Sequence, residues 1–137
     1  MEKGYKMFQF LKLFLINAVI FLILDCLWLI FANKKFYQPY IGHLMGQTKL
    51  LPAIIFYLIY VAALVFFVLA PGQVKESLSY VLLAGAFFGV VCYATYDLTN
   101  LATLSDWPLK ITIVDIIWGS FVTSLSATLT YIIAAKL

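Results

Sequence analysis

Three aspartates sit inside runs of residues that are otherwise apolar: Asp25 in LILDCLWLI, Asp97 in YATYDLTN and Asp115 in ITIVDIIWG. A carboxylate can act as a general acid or base, hold a cation or carry a proton. In hydrocarbon an ionised one is costly, about 2.5–3.5 kcal/mol at the centre of a spanning helix, so an intramembrane aspartate marks a candidate site. The surrounding residue types suit such a site. Tyr93, Tyr96, Asp97 and Asn100 follow i, i+3, i+4, i+7 spacing, which places them on one helix face. Asp25 with Trp28 and Asp115 with Trp118 are each three residues apart, so each tryptophan can donate its indole N–H or wall a cavity. Trp107 precedes a proline in the last loop.

The elements that must position these residues are set by hydropathy. Of 137 residues 65% are hydrophobic and 11% charged, with a mean hydropathy of +1.04. A water-soluble domain would be about one quarter charged, and a chain this short cannot bury so much apolar surface from water. About 20 apolar residues make a spanning helix, and four stretches qualify: 8–31, 51–69, 80–101 and 109–133. The expected fold is all-α, an integral membrane four-helix transmembrane bundle in a single domain, 1–137. The first run is too long for the apolar core of a signal peptide and no A-x-A site precedes Asn33, so it reads as a retained helix. Asn33-Lys34-Lys35 is expected to end it, with FYQPYIGHLMGQTK as an interfacial linker. Pro52 suits the first turn of the second helix and Pro71-Gly72 its end. Ser105 or Asp106 is expected to cap the fourth helix, with Pro108 in its first turn.

Successive spans run in opposite directions. Asp25 late in the first, Asp97 late in the third and Asp115 early in the fourth therefore share one half of the membrane, toward the side of the two loops that lies opposite the termini. Close carboxylates repel one another unless a proton or a cation bridges them. The competing reading is glue, polar side chains hydrogen-bonding helix to helix. At about 0.6 kcal/mol per bond, glue does not offset the insertion cost of three aspartates.

Composition excludes other classes. The net charge is +3 and all nine basic residues are lysines, placed singly near segment ends. No arginine can fork onto a phosphate or a base edge, so nucleic acid is not an expected partner. Lysines at these positions suit snorkelling to headgroups of a lipid bilayer. Lys3, Lys6, Lys12, Lys75 and Lys136 fall on the side of the termini, against Lys34, Lys35, Lys49 and Lys110 on the other. The N-terminal group favours cytoplasmic termini. Cys26 and Cys92 lack C-x-x-C spacing and read as packed thiols. His43 lies near the aspartate side, but no metal-ligand spacing supports a metal site, and no cofactor is identifiable. No nucleophile elbow, phosphate loop or zinc-protease motif is present. Gly85-x-x-x-Gly89 permits close helix approach and would suit a homodimer.

The combination of DCLWL, PAIIFYLIY, YATYDLTNLATL and WP…VDIIWG resembles the small bacterial membrane proteins grouped as domain-of-unknown-function family 2177, with YATYDLTN the most specific part. The resemblance spans essentially the whole chain. It implies four spans in a bacterial inner membrane and no assigned activity. Its motif positions are Asp25, Trp28, Tyr96, Asp97, Asn100, Trp107, Asp115 and Trp118.

The function expected from these residues is binding of a cation or a small cationic or amphipathic ligand, with transport of that ligand as an extension of it. Asp25, Asp97 and Asp115 would supply charge, Tyr93, Tyr96 and Asn100 orientation, and Trp28, Trp107 and Trp118 the walls of a pocket open to the two-loop side. One alternative is a membrane enzyme acting on a lipid or isoprenoid-like substrate. The other is a non-catalytic assembly subunit.

Overall fold

The computed structural model describes residues 2–137, with side chains from Lys3 onward. All regular structure among the described residues is helical. Helix α1 runs Glu2–Ala32, passes into a π-helical turn Asn33–Tyr37, a short α2 Gln38–Ile41, and a 3-10 turn Gly42–Leu44. Helix α3 (Leu50–Leu64) continues through a second π-helical turn, Val65–Leu69, into α4 (Ala70–Lys75). Helices α5 (Leu78–Thr103) and α6 (Leu109–Lys136) complete the chain. The four rods that result, Lys3–Leu44, Leu50–Lys75, Leu78–Thr103 and Leu109–Lys136, are each long and apolar enough to cross a membrane.

Two expected helix ends are not ends. The first rod does not stop at Asn33-Lys34-Lys35, and most of the expected linker is helical. The second rod does not stop at Pro71-Gly72 but continues to Lys75. The physical reason is the same at both places. A proline inside an α-helix lacks an N–H and its ring collides with the carbonyl four residues back. Here the turn before each proline is widened. The Gln38 N–H reaches back five residues to the Asn33 carbonyl, just before Pro39, and the Ala70 N–H reaches the Val65 carbonyl, just before Pro71. A π turn accommodates the ring without ending the rod. The carbonyl that Pro71 leaves without its N–H is that of Phe67, and the Tyr80 hydroxyl donates to it at 3.0 Å. We expect Tyr80→Phe to lower stability by about 0.6 kcal/mol, and by no more than about 1.7, the range for hydrogen bonds between membrane helices. Thermal unfolding in detergent would measure it.

The remaining boundaries follow local chemistry. Glu76, in the left-handed conformation at φ 50°, closes α4. The Ser77 hydroxyl then accepts the Tyr80 N–H at 3.0 Å and caps α5. At α6 the cap position is Pro108 itself, with no side-chain cap, and Ser105 and Asp106 form a turn ahead of it.

Helix α6 is central, touching α5, α1 and the Val65–Leu69 turn. Its buried face is small and polar, with Thr112, Asp115, Gly119, Thr123, Ser126 and Thr130 at helical spacing. Large apolar side chains point outward instead, including Ile30, Phe66, Phe87, Ile117 and Phe121. Lipid gives no hydrophobic reason to bury them, so helix contact is left to small and hydrogen-bonding residues. The α5–α6 seam shows this. A Cβ on Gly89 would run into the Gly119 backbone, and one on Gly85 would come within 3.1 Å of the Ser124 Cα. Ser120 and Ser124 donate to the Ala86 and Leu82 carbonyls at 3.1 and 2.8 Å. The Gly85/Gly89 pair is therefore used within the chain. On the other flank of α6, Asn17 donates to the Thr130 hydroxyl at 3.1 Å, and the Tyr60 and Thr123 hydroxyls are hydrogen-bonded at 2.5 Å.

Candidate functional site

Each of the three aspartates is delivered by a different constraint. Asp115 lies one turn from Gly119 on the buried face of α6 and is 6% exposed. Asp97 lies two turns past Gly89 on α5, on the seam against α6, and is fully buried. Close packing at the glycines thus forces these two carboxylates into one another's company, and they lie side by side with the Trp107 indole. Asp25, on α1, is partly buried and faces the Trp118 indole N–H, with Asp115 beyond it.

Hydrogen bonding among these groups is unequal. The Tyr37 hydroxyl donates to Asp115 Oδ1 and accepts from Trp28 Nε1 at 3.0 Å. Trp28 and Trp118 stack at 4.5 Å between centroids and 10° between planes, and the Phe36 ring lies nearly parallel to Trp28 at 6.3 Å. Trp107 donates instead to the Thr112 hydroxyl at 3.1 Å. Among the described residues neither carboxyl oxygen of Asp97 accepts a hydrogen bond of good geometry, its nearest polar neighbours being the Asp115 carboxyl and the Trp107 indole, and the Trp118 N–H points toward Asp25 without closing a well-formed bond. A buried carboxyl group without good hydrogen-bond partners is costly, and more so when it is ionised. In this cluster that group is Asp97.

Several expectations about geometry need correction. The Asp-x-x-Trp pairs do not work within their own helices. The Trp28 indole serves Tyr37 and, through it, Asp115 on α6, whereas Trp118 on α6 faces Asp25 on α1. The i, i+3, i+4, i+7 face of α5 divides. Tyr93 packs its ring against Gly119 and Asp97 is buried, but Tyr96 is 56% exposed, edge-on to Trp107 at 5.6 Å with Asn100 beside it. Four positions spread over too wide an arc for a helix packed on a single neighbour. Around the aspartates the structure places Trp28, Trp118 and Tyr37. Cavities of about 740 and 380 Å³ lie elsewhere, at the end bearing the termini and on the outer side of α5. His43 stands at the surface, 3.7 Å from Asp106, away from the three intramembrane carboxylates. Cys26 and Cys92 are free thiols.

Tyr37 is the residue that sequence reasoning left out. Its position in an expected linker concealed it, because only the π turn carries the helix far enough to bring residue 37 back over Asp115. The whole 33–44 segment acts as a cover. Ile41 packs with Trp107 and Ile111, and Lys110 donates to the Tyr40 hydroxyl at 2.8 Å. Tyr37→Phe leaves a buried carboxylate and an indole without their shared partner. We expect it to cost about 1–3 kcal/mol, read by thermal unfolding. Tyr40→Phe, at the exposed edge of the same cover, should change stability far less.

A family model described as a predicted membrane protein (DUF2177) matches residues 10–132. No curated protein and no solved structure matches the chain. With four apolar rods, a central polar helix and a family match over nearly its whole length, the chain is an integral membrane protein and belongs to the DUF2177 family.

Proposed function

We propose that the protein binds a small cation between α5 and α6, with Asp97 and Asp115 as the anionic ligands and the aromatic cover of Tyr37 and Trp28 controlling access. The observation that carries this reading is the Asp97 carboxylate, fully buried beside a second carboxylate and with neither oxygen hydrogen-bonded. A cation at this place would offset both the missing hydrogen bonds and the repulsion from Asp115. Among the described residues no three carboxylate, imidazole or thiol side chains converge as a metal cage would require. That favours a monovalent ion or a primary ammonium group over a divalent metal. Transport would follow if the 33–44 cover opens toward its own side of the membrane while a path forms to the other.

The test is thermal unfolding of purified protein in a zwitterionic detergent at fixed pH and ionic strength, titrated with Na⁺, K⁺, methylammonium and Mg²⁺. At 100 times its dissociation constant a ligand adds roughly 2.7 kcal/mol. Stabilisation of wild type by one monovalent cation, lost in Asp97→Asn, supports the reading. Equal responses to all salts in wild type and variant would overturn it.

A further inference from the structure

A second ligand site lies at the opposite end of the bundle, away from every aspartate. The N-terminal part of α1, the end of α4 and the end of α6 meet there around a cavity of about 740 Å³. Its lining is divided. Leu13, Val74 and Tyr131 give an apolar wall, while Lys6, Gln9 and Gln73 bring one cationic and two amide side chains to the same space. The volume lies within the range of cavities that hold one small molecule, and it is too small for a docked helix. Lys6 comes just before the apolar run that begins at Phe8, which puts the polar side of the cavity at headgroup level and the apolar wall at the level of acyl chains.

Charge narrows the choice of occupant. This end of the sequence carries Lys3, Lys6, Lys12, Lys75 and Lys136 against Glu2 and Glu76. Lysines near a membrane surface attract anionic lipid, and basic pockets between spanning helices hold anionic headgroups. An ammonium and two carboxamides in one cleft match the oxygens of a phosphodiester, with acyl chains running down Phe10 and Tyr131.

We infer that this cleft is a binding site for one anionic phospholipid, its phosphate held by Lys6, Gln9 and Gln73. The experiment is native mass spectrometry of the full chain in detergent, titrated separately with phosphatidylglycerol, phosphatidylcholine of the same chains and glycerol phosphate. Three variants are compared with wild type: Lys6→Gln, Ala135→Phe and Lys3→Gln. Ala135 is an exposed residue of the cavity rim, so a larger side chain there fills the cleft without disturbing the core. Lys3 is exposed at the same membrane end and does not line the cavity.

The expected result is one phosphatidylglycerol retained at least ten-fold more tightly than phosphatidylcholine. That preference should fall about ten-fold in Lys6→Gln and in Ala135→Phe and persist in Lys3→Gln. Equal retention of both lipids would make the cleft an ordinary part of the lipid annulus and overturn the inference. Equal losses in Lys3→Gln and Lys6→Gln would do so too, since attraction would then belong to the surface as a whole. Glycerol phosphate bound as tightly as the lipid would identify a free-phosphate site instead.

Discussion

At alkaline pH, where no proton bridges Asp97 and Asp115, Asp97→Asn is expected to make the cation-free protein more stable, by roughly 1–3 kcal/mol, the cost of leaving a buried polar group unpaired. The reasoning runs against the usual effect of core substitutions, most of which destabilise. Asp97 is fully buried, neither of its oxygens is hydrogen-bonded, and Asp115 stands next to it. Asparagine has nearly the same shape. It removes the repulsion between carboxylates, and its amide N–H group can donate to Asp115. A gain of stability with loss of any cation response is the signature of a binding site, in which folding energy is given up for function. If Asp97 were interhelical glue, the same change would lower the unfolding temperature and leave salt responses as they were. Asp115→Asn should behave differently. It weakens the bond that Tyr37 donates, so its effect on stability should be near zero or unfavourable even though it too removes the repulsion.

The largest loss of stability is expected at the α5–α6 seam. A methyl on Gly119 would overlap the Tyr93 ring, and one on Gly89 would overlap the Gly119 carbonyl and come within 2.9 Å of the Ser120 Cα. Overpacking costs about 1–3 kcal/mol and occasionally more. The two positions differ in what can yield. Tyr93 is a side chain and can swing away at the expense of its packing, so Gly119→Ala falls inside that range. At Gly89 the obstacle is backbone on both counts, and the helices themselves must separate. Gly89→Ala should therefore reach or exceed the top of the range. It should also weaken the Ser120–Ala86 and Ser124–Leu82 bonds, which lie one and two turns before it on α5. Gly85→Ala meets its nearest atom only at 3.1 Å and should be the mildest of the three. Unfolding of the three variants in one detergent gives the ranking. A Gly89→Ala protein as stable as wild type would mean that α5 and α6 are not in contact at this level. Because Asp97 and Asp115 depend on the same seam, Gly89→Ala should also reduce any cation response.

The number of spans, their order, the shared depth of the three aspartates and the membrane as solvent are properties of the sequence alone. They rest on length and hydropathy, which are local sums, and on the alternation of direction that a chain of spans imposes. Family membership is equally a sequence property, since YATYDLTN and its companion motifs run the length of the chain. Which side of a helix faces a neighbour is not local. All four rods are apolar around most of their circumference, so hydropathy cannot orient them about their axes. Orientation came from glycines and serines. Gly89, Gly119, Ser120 and Ser124 fix the α5–α6 rotation, and that rotation places Asp97 against Asp115 while turning Tyr96 outward. The helix ends at residues 33 and 71 were misjudged because a polar Asn-Lys-Lys run and a Pro-Gly pair were read as stops. Only a three-dimensional backbone can show a turn widened by one residue. That same widening carries Tyr37 over Asp115. The cleft around Lys6, Gln9 and Gln73 joins residues from three helices far apart in sequence. No spacing along the chain encodes such a meeting, and only packing of the four rods produces it.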